Sequence, residues 1–234
     1  SDISKQNLVQ QHNREKEKIF VVKPAADEKY KPLLWTEKEN TKIEFTGGKE
    51  YFSVTGINET KKIITVLKAF SIFKKKQQSN MHLVIIAENI TGNSELFEKL
   101  ENFKYRTDVH LHNSYPGEET VNIISSAYAL VCSGNENALP VMVLNAFNAG
   151  IPVVVSKQDS PAELTSDAVL YTDITDQELL AADLNKLYKD EMLRSRLIEK
   201  GKNMSQKFNR QQSIEQVWNG ILHATNNPQQ NNYS

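Results

Sequence analysis

The chain has 234 residues, 39% hydrophobic and 24% charged, which is long enough to bury a sizeable core and too apolar for a fibrous, collagenous or wholly disordered protein. Its 28 basic and 29 acidic residues leave a formal charge of -1, without the cationic excess that a nucleic-acid or anionic-lipid partner demands. No run approaches the ~20 apolar residues of a membrane span, and the single cysteine, Cys132, leaves no internal disulfide and fits a reducing, cytoplasmic setting with room for peripheral membrane attachment.

Residues 1–48 hold a polar helix-like stretch that is too polar for a signal peptide, a short apolar run at 19–22, and the loop-like PAADEKYKPLLW. They are too polar to form a core of their own. From residue 50 onward, short apolar runs alternate with longer segments of helical period, the pattern of βαβ units. Strands are expected at 51–54, 82–87, 109–112, 128–132, 151–155 and 168–171. Ile63, Val66, Leu67, Phe70 and Phe73 mark one face of the helix between the first two strands, and Lys74, Lys75 and Lys76 read as its solvated end. A second helix covers 139–149, closed by Gly150 with Pro152 beyond it. Thr175 and Glu178 have the spacing of a capping box for a third, and helical patterns run on to about His223. The tail from Asn226, NNPQQNNYS, has the composition of disorder. The fold class is therefore α/β, a doubly wound parallel sheet of Rossmann-like type.

Ligands of such sheets sit beyond the carboxyl ends of the strands. Two loops there stand out. In Thr55-Gly56-Ile57-Asn58-Glu59-Thr60-Lys61 a glycine permits close backbone approach and a lysine follows at a helix start, whose free N–H groups favour an anion. In Ser133-Gly134-Asn135-Glu136-Asn137-Ala138-Leu139-Pro140 a polar loop runs into a helix that tolerates proline in its first turn. Neither loop carries a GxGxxG or P-loop pattern, so a plain βα turn competes with the phosphate reading at each. His110 and His112 share a strand face with no further ligand to complete a metal site, and Cys132 reads as a small core residue. No nucleophile–base arrangement can be placed, and no paired acidic residues end the first strand as in a phosphoacceptor domain.

Taken in order, these segments resemble the C-terminal, donor-binding domain of the GT-B glycosyltransferases of family 4, the glycosyl transferases group 1. The resemblance lies in Tyr51-Phe52-Ser53-Val54-Thr55-Gly56 with Lys61 and Leu67-Lys68-Ala69-Phe70, in Leu83-Val84-Ile85-Ile86, in Ser160-Pro161-Ala162-Glu163, and in Asp167-Ala168-Val169-Leu170-Tyr171. Its most specific part runs from Leu139-Pro140-Val141-Met142 through Asn145 to Gly150-Ile151-Pro152-Val153-Val154, similar to the family's Glu-x7-Glu helix closed by Gly-x-Pro-Val. The resemblance implies residues 1–24 as the end of an acceptor-side domain, 25–48 as hinge, 49–225 as the donor domain and 226–234 as a disordered tail. It also implies a missing N-terminal acceptor domain that would hold the catalytic residues, so this chain alone is expected to be inactive.

By the same resemblance, a nucleotide-diphospho-sugar is the substrate for retaining transfer to a saccharide or lipid-linked acceptor in polysaccharide biosynthesis, with no metal and no other cofactor. The donor-binding residues it implies are Gly56, Lys61, Glu136, Asn137, Ala138, Leu139 and Asn145. Three positions depart from the pattern. Asn137 and Asn145 replace the glutamates for donor sugar and ribose, and Ile57 or a deletion replaces the phosphate-binding arginine. A catalytically degenerate binding or scaffold protein is the alternative those departures raise.

Overall fold

The computed structural model describes residues 2–12, 15–57, 59–88, 90, 94–113, 117–133, 139–157, 167–208 and 210–226. Its centre is a six-stranded sheet of β1 (Tyr51–Thr55), β2 (His82–Ala87), β3 (Val109–Asn113), β4 (Ala129–Cys132), β5 (Val153–Ser156) and β6 (Val169–Thr172). The strands run in the order β3-β2-β1-β4-β5-β6 and every neighbouring pair is parallel. This is the expected doubly wound sheet, with each strand within about two residues of its expected bounds.

Both faces of the sheet are covered, so its inner strands are apolar at nearly every position rather than alternating. Phe52, Val54, Leu83, Ile85 and Val131 face α3 (Thr60–Gln77), α4 (Ser94–Glu101) and α7 (Gln177–Lys189). Tyr51, Val84, Ile86, Leu130, Cys132, Val153 and Val155 face α5 (Glu118–Ser126) and α6 (Leu139–Ala149). The α3 face read from the sequence is buried at all five positions, and Cys132 is fully buried. Tyr51 donates its hydroxyl to the Ile123 carbonyl at 2.6 Å, and burial pushes that hydroxyl well above its usual range. Gly150 (φ 73°) closes α6 in a left-handed cap, with Gly150 N–H on Phe147 O at 3.1 Å and Ile151 N–H on Ala146 O at 2.9 Å.

Three features differ from the expectations. Thr175 and Glu178 do not form a capping box: Asp176 caps α7, accepting from the Glu178 and Leu179 N–H groups at 2.8 and 3.1 Å, while Thr175 bonds Asp173. A carboxylate is the stronger acceptor for free helix N–H groups. Lys74 is not solvated like Lys75 and Lys76; it is 6% exposed, with its amine on Asp108 at 2.8 Å and the Met81 carbonyl at 3.0 Å. A buried ammonium is tolerable only with such partners. Inside the stretch read as hinge, Trp35–Thr46 forms a helix, α2, which packs on α5 and starts where the Glu37 carboxylate accepts the Leu34 N–H at 2.6 Å.

At the ends of the chain, α1 (Asp2–His12) is the first helix, and α8 (Glu191–Ser205) and α9 (Arg210–Asn226) are the last two. The chain near residue 23 lies along α9, where Lys23 bonds Gln216 and Ser213. Residues 227–234, most of the tail read as disordered, lie outside the described residues. Among the described residues no helix is long and apolar enough to cross a membrane.

His82 Nδ1 and His110 Nε2 lie 2.8 Å apart in stacked rings at the amino edge of β2 and β3. Burial holds both imidazoles below the ordinary histidine range. At His82 the neighbouring His110, Lys74 and Lys49 add to the shift, and at both sites Asp108 opposes it. The unfolded chain therefore binds protons first, near pH 6.5, and stability falls as pH drops through and below that value. Urea midpoints should decline from pH 7.5 to 5.5, and His110→Asn should flatten the decline; a midpoint that rises toward pH 5.5 contradicts this.

Candidate functional site

The connections leaving the sheet diverge between β1 and β4, because the chain crosses from β1 toward β2 on one side and from β4 toward β5 on the other. A crevice forms outside the carboxyl ends of strands at such a point. Here those ends are Thr55 and Cys132, joined at the rim by Ser133 N–H on the Thr55 carbonyl at 3.2 Å. Gly56 follows with φ 76°, and a Cβ built on it would lie 1.7 Å from the Ser133 carbonyl oxygen and 3.4 Å from Met142 Cε. The close approach for which the sequence singles out Gly56 is thus made, in this structure, to the loop after β4.

Ile57 is 1% exposed and joins the core with Val54, Ile63 and Phe70. Where the family resemblance places an arginine, this chain turns an apolar side chain inward. The helix α3 opens directly after Glu59, whose carbonyl accepts the Lys62 and Ile63 N–H groups at 3.0 and 3.1 Å. The Lys62 amine pairs with Glu59 at 2.8 Å, while Lys61, in the first turn, is exposed. A helix N-terminus with an exposed lysine beside it can receive a phosphate.

On the other side of the crevice, Leu139 is the first residue of α6, and Met142 in that first turn adjoins Gly56. Glu136, Asn137 and Ala138 lie outside the described residues, as do Asn58 and residues 158–166. Asn145 is placed differently from the others. It is 9% exposed and its Oδ1 accepts the Asp27 N–H at 2.8 Å. Asn148, one turn on, donates to the Tyr30 carbonyl at 2.5 Å. The Tyr30 hydroxyl is held above its usual range by burial and by the nearby Asp27 charge, partly offset by Asn145. The structure thus brings Gly56 and the start of α6 together and turns Asn145 toward residues 27–30.

Ser133 was read only as the first residue of the second loop, and Asp27, Tyr30 and Asn148 were not singled out by the sequence. The signal available for the last was its spacing: Asn145 and Asn148 are polar residues three apart on an otherwise apolar helix, which implies a polar partner across the interface. Among the described residues no group of three or more His, Cys, Asp or Glu side chains converges as a metal site. A separate concavity at the opposite, amino edge of the sheet is lined by Lys74, Lys75, Gln78, Ser79, Lys104, Tyr105 and Asp108.

Gly56→Ala tests how tightly the rim is built. The left-handed backbone costs a substituted residue about 1–2 kcal/mol, and the collision with the Ser133 carbonyl adds about 1–3 kcal/mol of overpacking. Denaturant unfolding should show a loss in that combined range; unchanged stability would mean that the Gly56–Ser133 contact does not form.

The fold recurs among solved structures. WaaG, a glycosyltransferase involved in lipopolysaccharide biosynthesis, superposes with a TM-score of 0.70 at 18% identity, over 86% of this chain and 55% of its own. A glycosyltransferase from Rickettsia africae gives 0.78 at 12%, over 94% and 60%. HepE of Anabaena, solved with UDP and glucose, gives 0.76 at 13%, over 95% and 62%. The chain therefore spans little more than half the length of these proteins, and at such identities the likeness is one of fold. No curated protein sequence matches the chain. The family profile described as glycosyl transferases group 1 matches residues 36–204, a span that takes in α2, all six strands and the helices through α8, and the chain belongs to that family.

Proposed function

We propose that this chain is the C-terminal, donor-binding half of a GT-B glycosyltransferase of family 4. In this reading the whole protein is cytoplasmic and moves a sugar from a nucleoside diphosphate to a saccharide or lipid-linked acceptor in polysaccharide assembly, with retained anomeric configuration. The observation that carries the reading is the rim of the switch-point crevice, where Gly56 presses on Ser133 and the first turns of α3 and α6 open on either side. Two further findings support it. The chain covers 94% of a solved C-terminal domain of a Francisella tularensis group 1 glycosyltransferase, LpcC, at a TM-score of 0.64 and 17% identity. HepE, with a similar fold, binds UDP and glucose.

In this site the diphosphate lies against the α3 N-terminus with Lys61 as its cation, and residues 136–139 meet the donor sugar. Preorganised N–H dipoles and an ammonium stabilise the charge that develops on a departing diphosphate without a resident metal. The acceptor and the catalytic groups come from the domain that precedes this one. Positioning by that domain is worth roughly 7–11 kcal/mol of barrier, so the chain alone binds nucleotide without measurable transfer.

The buried Ile57 and the engaged Asn145 favour a second reading, a degenerate member that keeps the fold and binds without turnover. Losing one preorganised donor costs about 10²–10³ in rate. The full-length protein, assayed with a panel of nucleotide sugars, separates the two. Transfer by wild type at ordinary rates of about 1–10³ per second establishes the enzyme. Nucleotide binding without turnover, in wild type and in the Asn137→Glu and Asn145→Glu variants alike, establishes the degenerate reading.

For the site itself, calorimetry on Lys61→Ala should show nucleoside diphosphate binding weakened about fivefold, the effect of one exposed charge pair of ~1 kcal/mol. Its dependence on salt should also be smaller. Unchanged affinity removes Lys61 from the site.

A further inference from the structure

Residues 27–30 form a preorganised turn. The Lys29 N–H bonds the Asp27 carboxylate at 3.0 Å and the Tyr30 N–H bonds the Asp27 carbonyl at 3.0 Å. Ala26 and Tyr30 pack against the core that contains Phe147 and Leu144 of α6. Two hydrogen bonds fasten the turn to that helix, Asp27 N–H to Asn145 Oδ1 at 2.8 Å and Asn148 Nδ2 to the Tyr30 carbonyl at 2.5 Å. An asparagine side chain offers two lone pairs and two N–H groups. Here the Asp27 N–H takes the carbonyl end of the amide, and the turn leaves the side chain only 9% exposed. A ligand that needs Asn145 must first displace the turn.

We infer that residues 27–30 act as a strap that competes with the bound nucleotide for Asn145. This rests on the proposed donor site together with the family resemblance, which implies Asn145 at the position that meets the ribose hydroxyls. Nucleotide binding then releases the segment that leads into α2, and anything that loosens this segment raises nucleotide affinity. The apparent affinity is the intrinsic one reduced by the fraction of molecules with the strap open. Losing one strap hydrogen bond, at the net worth of such bonds, raises that fraction about fivefold.

The test uses the whole chain and UDP as probe. Asp27→Pro removes the N–H that Asn145 accepts, and Asn148→Ala removes the bond to Tyr30; neither residue belongs to the proposed donor contacts. Each variant should bind UDP about three- to tenfold more tightly than wild type by calorimetry. Hydrogen exchange at the Lys29 and Tyr30 amides should be faster in both variants, and in wild type it should accelerate when UDP saturates the site. Faster exchange with unchanged UDP affinity overturns the strap while leaving the donor site standing. If Asp27→Pro fails to fold, Asn148→Ala decides by the same readings. No UDP binding by any of the proteins overturns the donor-site reading and the strap together.

Discussion

A left-handed glycine set against a carbonyl, Gly56 on Ser133, joins the two halves of the sheet where their connections part company. β1 and β4 are neighbours in space but far apart in sequence, and the two loops leaving them must cross the same small volume. Only a residue without Cβ permits that crossing at this backbone geometry. Once it is made, α3 and α6 start from the same rim on opposite faces of the sheet, and their first turns flank one crevice. The apolar layers beneath serve this arrangement by fixing where each helix begins.

Most of the scaffold was legible in the sequence because parallel strands covered on both faces read as unbroken apolar runs. HLVIIA is such a run, and β2 occupies those six residues. Gly150 was equally legible, since a glycine between an apolar helix and a proline has few other uses. What escaped depended on partners distant in the chain. The burial of Lys74 is set by Asp108 and Met81, which composition cannot assign to it. The α2 sequence, WTEKENTKIEFT, has no clear apolar stripe, and only its packing on α5 shows why it is helical. The cap of α7 fell to Asp176 rather than Thr175 because adjacent polar residues compete for the same N–H groups, and the ionised one prevails.

The candidate site was legible in its position and less so in its contacts. Gly56 and the start of α6 meet as the strand pattern implied. Asn145 could be aligned with a ligand-contacting position, yet its hydrogen-bond partner is a backbone N–H 118 residues away, in a stretch whose sequence reads as a loop. Ile57 illustrates the reverse case: the sequence reading took it only as the loss of a phosphate-binding arginine, and the structure buries it in the core. The two departures have different consequences, because Ile57 removes a cation outright while Asn145 redirects an intact polar group.

The central claim is that the nucleotide occupies the carboxyl edge of the sheet between α3 and α6. The most direct measurement is the amide spectrum of the isotopically labelled chain during titration with UDP. The account predicts shifts at Gly56, Lys61 and the first turn of α6, with the amides around Lys75, Lys104 and Asp108 at the opposite edge unmoved. Shifts confined to that opposite edge would contradict it.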